Sequence, residues 1–417
     1  MRRSAAALAA AAVLLAGCGG GHGRAGTPAS GGQGSPKAAT PEGQITALLA
    51  RRAHALEAGS VHRYAATATG TQRARDRRDA RNASGLPLRA VRLQPAKVAV
   101  KGRTATLDVR QSYAVPGITG RFEVTRTMRA VRTRQGWRVR SVASRRQRNP
   151  WEVGPFTASR TRHFLVFAPR GLDTGDLPST LESGYARMRD VLAKGRLKPR
   201  YLVVVAGDDR QARQMTAGIR GVATLAAISD AAVREEGPAE RVARVSSQRL
   251  LVVWPAFFPL DPQGRLRVVA HELTHAALSS STSGRTPSWL VEGVALWVSG
   301  DRRVDEAAQL VTGPSLSAAS RRALTLTGLS SPDAIARLGG DGQTAAYAYS
   351  SSAAFYLIER YGRARFFRLY DAFNRTKLAG RPGPALVDRA LRSTLGTGLL
   401  PLERALRRWI LATALAP

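Results

Sequence analysis

The sequence predicts an α+β protein with two folded parts, a basic module over 41–150 and a larger unit over 160–417. Three observations lead there. A helical apolar repeat followed by glycine-punctuated strand runs fills the first part. Apolar strands alternating with a helix open the second, and beyond Asp261 nearly every apolar repeat is helical. A chain of 417 residues is long enough for two cores, and its single cysteine allows no intrachain disulfide, so packing must do the stabilising.

The first eighteen residues read as a leader. Arg2-Arg3 is a basic start, Ser4–Ala16 is small and apolar, and Leu15-Ala16-Gly17-Cys18 closes it. This resembles the lipobox of bacterial lipoproteins. The resemblance implies that Cys18 is diacylated and becomes the first residue of the mature chain, held at the extracytoplasmic face of the bacterial cell membrane. The apolar stretch is too short for a stable span, and a plain cleaved signal with an incidental cysteine is the alternative. Acyl chains plus a basic surface would supply the two signals that stable anchoring needs. Residues 19–40 are rich in glycine, serine, proline and alanine and read as a flexible linker, with His22 an incidental solvated residue.

Pro41 begins a helical run in which Ile45, Leu48, Leu49, Ala53 and Leu56 recur on one face. A basic stretch from Arg73 to Arg81 follows. Strands are expected at Arg89–Val100, Thr104–Tyr113, Arg121–Arg132 and Trp137–Val142, with Gly102 and Gly136 marking hairpin turns. Helices first and a curved antiparallel sheet after is similar to the cone-shaped SnoaL-like fold, although no short motif accompanies the likeness. His54 and His62 on the early helices read as solvated or packed, and the module as a spacer or recognition unit.

In the second part, His163–Ala168 and Tyr201–Ala206 read as buried strands around a helix near Leu177–Ala193. Arg249–Trp254 is a further strand. It is either an edge that pairs with an extended substrate or a buried interior strand. Asp261-Pro262 reads as an N-cap and a first-turn proline. The helix after it carries Leu266, Val269, Leu273 and Ala276 on a buried stripe, with His271 and His275 roughly opposite.

Residues four apart share a helix face, so His271 and His275 in His271-Glu272-Leu273-Thr274-His275 can hold one ion between them. Glu272 points about 100° round the helix and can reach a water on that ion without occupying a ligand position. These are the parts of a zinc hydrolase. Two solvated histidines are the bland alternative. Yet from Val268 to Gly284 the only ionisable side chains are these three, whereas a solvated face would carry more charge. A third ligand is available on the next helix, with Thr286-Pro287 as cap and first residue and Gly300 as stop. Glu292 is its only charged residue, and an isolated buried carboxylate must be neutralised by a buried donor or bound to a cation. Asp301 and Glu306, in the charged stretch beyond that helix, are weaker ligand candidates.

His-Glu-x-x-His followed by Trp289-Leu290-Val291-Glu292-Gly293-Val294-Ala295 resembles the gluzincin metallopeptidases, most closely the bacterial peptidase MA-like group. The resemblance covers about residues 160–375. It implies zinc held by His271, His275 and Glu292, with Glu272 as general base and a protein or peptide as substrate. The glycine-rich exopeptidase motif of the aminopeptidases has no counterpart upstream of His271, which favours an endopeptidase. The aspartate that thermolysin-like members place four residues after the glutamate ligand is here Leu296, so the groups that orient the ligands must be built differently. The group also has a downstream Tyr-Ala-x-x helix, matched by Tyr347-Ala348-Tyr349-Ser350. Tyr347, which fits better than Tyr349, is thereby a candidate to hydrogen-bond the oxyanion, with plain packing as the alternative. Helices are expected near 303–311, 344–361, 363–375, 384–394 and 401–413.

Basic residues number 64 against 29 acidic, a formal net charge of +35. Residues 41–160 hold 25 basic and 7 acidic side chains, about half of the excess. Attraction to anionic lipids or acidic envelope polymers is one reading. The other is composition, since arginine outnumbers lysine 58 to 6. No nucleic acid partner is expected, because no binding motif or interleaved aromatics accompany the arginines. Two function classes follow: an active zinc endopeptidase of envelope proteins or peptides, or a catalytically inert lipid-anchored binding protein that uses its basic module.

Overall fold

The computed structural model describes residues 40–415 apart from 145–146, most of 217–224, 237–241, 313–323, 339 and 375–379. Cys18, His22 and the expected leader and linker lie outside the described residues.

Helices α1 (Pro41–Glu57), α2 (Val61–Ala66) and α3 (Thr71–Ala83) precede a meander of β1 (Arg89–Lys101), β2 (Thr104–Ala114), β3 (Phe122–Thr133) and β4 (Gly136–Ser144). The sheet order is β1-β2-β3-β4, every neighbour antiparallel. Helix α1 starts where the Thr40 hydroxyl accepts the Gly43 N–H at 3.2 Å and Pro41 occupies the first turn. Its predicted stripe of Ile45, Leu48, Leu49, Ala53 and Leu56 is buried against the sheet. Gly102, at φ 55, completes the two-residue turn between Lys101 and Thr104. The Arg73–Arg81 stretch lies within α3.

Arg52 of α1 is buried and ties these helices together. Its guanidinium forms a two-pronged ion pair with Asp76 of α3 and donates to Thr67 Oγ1 at 2.8 Å. It also lies over the Tyr64 ring at 4.1 Å. Gln72 Nε2 donates to Asp76 Oδ1 at 2.7 Å, so the carboxylate is fully engaged.

Helix α4 (Pro150–Val153) leads into a second sheet made of β5 (Phe156–Arg160), β6 (Phe164–Pro169), β7 (Tyr201–Ala206), β8 (Ala227–Glu236) and β9 (Val242–Val253). Its order is β5-β6-β7-β9-β8; β6, β7 and β9 run parallel, and the two edges are antiparallel to their neighbours. Strand β9 is therefore interior, and β8 is the edge. Arg249–Val253 lies between two partners and Trp254 begins the short helix α7 (Trp254–Phe257), so the edge alternative for that segment is excluded. His163 sits just outside β6. Its N–H donates to Glu182 Oε1 at 2.8 Å, and its ring stacks on Tyr185 with centroids 3.8 Å apart.

The central strands are apolar on both sides because both sides are covered. Val203 and Val252 face a core shared with α5 (Leu177–Val191) and α8 (Pro262–Leu278). Leu165, Phe167, Leu202, Val204, Leu251 and Val253 face the opposite way, into one continuous core with the 41–150 module. The module thus forms the back layer of this sheet. Asn82 Nδ2 reinforces the junction by donating to Trp151 O at 2.9 Å, as does the ion pair of Arg126 with Glu152.

After α8 come α9 (Ser288–Ser299), α10 (Val304–Thr312) and the helices Gly340–Tyr361, Arg363–Ala372, Pro384–Leu395 and Leu399–Ala414. These cover the five helical regions expected after Gly300. No helix among the described residues is long and apolar enough to cross a membrane.

Candidate metal centre

Two helices carry the centre. The Asp261 carboxylate accepts the Gly264 N–H at 2.6 Å and Pro262 occupies the first turn, which fixes where α8 begins. Gly184 of α5 lets α8 approach closely, for a Cβ there would lie 2.5 Å from Val269 Cγ1. Helix α9 begins at Ser288 with Pro287 as its N-cap, one residue later than the sequence suggests, because Thr286 Oγ1 is occupied in accepting the Ser283 N–H. Gly300, at φ 71, ends it as expected. Behind the Glu292 position, Gly293 lets the helix Gly340–Tyr361 cross at van der Waals distance. A Cβ on Gly293 would meet Ser350 O at 2.5 Å.

These crossings bring His271, His275 and Glu292 together. His271 Nε2 and His275 Nε2 are 3.0 Å apart, and Glu292 Oε2 lies 3.3 Å from the first and 3.5 Å from the second. Four-coordinate zinc with bonds of 2.0–2.1 Å has ligand–ligand edges of about 3.3 Å, so the three donor atoms stand at the spacing of one tetrahedral face. Glu292 Oε2 faces both imidazole nitrogens at distances longer than an ordinary charge-assisted hydrogen bond, so the three atoms stand as an open triangle. The residues therefore fit a divalent cation, and two imidazoles with one carboxylate suit zinc. No other group of three histidine, cysteine or acidic residues with this convergence occurs among the described residues.

Burial pushes the Glu292 carboxyl upward, but the neighbouring His275 and His271 outweigh it and hold it down at about 2. Burial lowers His271 and keeps it in the neutral form a metal ligand requires. For His275 the burial effect is overcome by Glu292 and Glu272, and its pKa rises. His275 is also the least enclosed of the three residues.

Glu272 is fully buried beside this triangle. Its Oε2 accepts the backbone N–H of Ser229 in edge strand β8 at 2.6 Å, while Oε1 has no hydrogen-bond partner. Burial, reinforced by Glu292, pushes its carboxyl up to about 8 against the opposing pull of His275 and the Ser229 N–H. The Ser229 contact has no signature in residue type, because only its backbone takes part.

Tyr347 is buried and lines a cavity of about 10 Å³ together with His271, Arg267, Asp301 and Arg303. Burial first, then the Glu292 and Glu272 charges, raise its pKa well above the ordinary phenol value, so it remains a neutral donor. Tyr349 has different neighbours, Glu403 and Arg407. Of the two tyrosines, Tyr347 is the one beside the centre. Asp301 is held by Arg303 at 2.6 and 2.9 Å, and Glu306 faces Arg303 at 3.9 Å with most of its side chain in solvent. Neither joins the triangle.

No family model and no curated protein matches this chain. The gluzincin resemblance thus rests on its motifs, and the SnoaL-like one on the order of helices and strands alone.

Proposed function

We propose that this chain is a zinc-dependent metallopeptidase of gluzincin type, an endopeptidase of envelope proteins or peptides, lipid-anchored through Cys18 at the extracytoplasmic face of the membrane. The observation that carries the reading is the triangle of His271 Nε2, His275 Nε2 and Glu292 Oε2, with the unpartnered Oε1 of Glu272 beside it. Bound zinc would supply Lewis-acid polarisation of a peptide carbonyl and activation of a water.

The chain's own groups do the rest. Glu272 Oε1 takes the proton of the attacking water and passes it to the leaving amine, while the Ser229 N–H fixes the carboxylate's orientation. Tyr347, kept neutral by its surroundings, donates a hydrogen bond to the developing oxyanion. Strand β8, an edge of the sheet among the described residues, offers main-chain groups to an extended substrate, the role that interior strand β9 cannot take. Asp301 brings negative charge near His271 from beyond the end of α9, where Leu296 provides none.

Metal analysis of the purified protein, paired with cleavage of a broad peptide library, tests this reading. Wild type binds one zinc and cleaves, and Glu272→Gln binds zinc without cleaving. Equal turnover by both would remove Glu272 from the mechanism. The alternative, an inert binding protein that uses the basic module, draws support from an arginine-lined cleft at the module's edge. It expects cleavage by neither protein.

A further inference from the structure

A second concavity shares no lining residue with the metal centre. It is a cleft of about 780 Å³ where the 41–150 module meets the second sheet. Helix α3 and strand β4 form one wall, and the α4–β5 connection and α6 (Asp209–Met215) form the other. This volume is in the range of small-molecule sites.

Four arginines line it from three places in the chain: Arg75 and Arg78 of α3, Arg148 before α4, and Arg210 of α6. Two carboxylates also line it, each with an arginine partner. Glu152 is neutralised by the fully buried Arg126 and accepts the Asn149 N–H at 2.6 Å. Asp79 is held by Arg78 at 3.3 Å. Arg75, Arg148 and Arg210 have no ion pair with any described residue, and all three are exposed. A composition rich in arginine scatters guanidiniums over convex surface, where water screens them. It does not account for three uncommitted ones converging on a concave site with amide side chains (Gln72, Asn82, Gln214) between them. Guanidinium forks favour planar or tetrahedral oxyanions, which they engage with paired N–H donors.

We propose that this inter-module cleft is a binding site for a small polyanion, a ligand carrying several phosphate or carboxylate groups. Because the site draws arginines from both layers, a bound ligand clamps the module to the sheet and stabilises the folded chain. The inference does not depend on the metal centre.

The test is calorimetric titration and thermal melting of the full chain with inorganic tripolyphosphate and, separately, citrate, at constant ionic strength. Saturable one-to-one binding of either probe is expected, with a rise in melting temperature, and the tighter probe identifies the oxyanion. The double variant Arg75→Ala/Arg210→Ala should bind at least tenfold more weakly with unchanged melting in probe-free buffer and unchanged zinc content. Arg213→Ala, an exposed arginine of α6 that does not line the cleft, should bind as wild type does. Several equivalents bound per chain, equal affinity in the double variant, or no binding of either probe at millimolar concentration would each overturn the proposal.

Discussion

The backbone N–H of Ser229 and the Oε2 of Glu272 are joined across 2.6 Å, edge strand to helix, and the other oxygen of that buried carboxylate has no hydrogen-bond partner among the described residues. Removing the charge but keeping the shape, as in Glu272→Gln, is expected to lower kcat by about 10²–10⁴, the usual contribution of a general acid–base group. Zinc content measured on the same sample should not change, which separates loss of a base from loss of the site.

Glu292→Gln should act on the metal itself. Altering groups that merely orient ligands costs about 10–100-fold in affinity, so loss of a ligand oxygen should exceed that range. Competition with a chromogenic chelator measures the change, and retention of wild-type affinity would take Glu292 out of the coordination set.

The two tyrosines should separate cleanly. Tyr347→Phe is expected to reduce kcat by about 10²–10³ with little change in KM, the cost of one lost oxyanion donor. Tyr349→Phe, whose phenol lies by Glu403 and Arg407, should leave both constants near wild type. Steady-state kinetics on a peptide cleaved by the native protein decides between them.

Gly293→Ala places a methyl 2.5 Å from Ser350 O, which is main chain and cannot swing aside. Overpacking of this kind costs about 1–3 kcal/mol. The strain falls on the helix that carries Glu292, so weaker zinc binding should accompany a lower urea midpoint.

Arg52→Ala strands the buried carboxylate of Asp76, and breaking such a pair from one side costs about 3–5 kcal/mol. Equilibrium urea denaturation should register that loss. The milder change Arg52→Met with Asp76→Leu should recover part of it, since neither charge is then left alone.

Acid should relieve a local cost at Asp79. Burial, with Glu152 and Asp76 adding to it against Arg78, pushes its carboxyl up to about 6 from 3.8. The folded state then holds the proton more tightly than the unfolded chain, so this group's contribution to stability falls as pH rises from about 4 through 6. Partial exposure limits the effect to about 1 kcal/mol. Compared with Asp79→Asn, wild type should lose ground between pH 5 and pH 7, read as the difference in urea midpoints; a constant difference would contradict the shift.

Local signals carried much of this in the chain itself. Asp261-Pro262 marks the start of α8, Gly300 the end of α9, and four alternating runs with Gly102 and Gly136 mark the meander. The convergence of His271 and His275 follows from helix geometry alone. What was not legible depends on distant pairing. Whether Arg249–Val253 is edge or interior turns on β8, whose Ala227–Glu236 sequence has little apolar alternation. The apolar runs of β6 and β7 announce two covered faces but cannot name the cover. Ser229 acts through a backbone group that any non-proline residue possesses.

That cover sets a limit on dissection. A fragment starting at residue 151 would keep both helices of the candidate metal centre yet bare Phe167, Leu202, Val204 and Leu251 along one whole flank of its sheet. Such a piece should clump when expressed by itself, and supplying residues 41–150 as a separate polypeptide should rescue its solubility. Residues 41–150, read from the sequence as a spacer or recognition unit, also cover that flank in the folded chain.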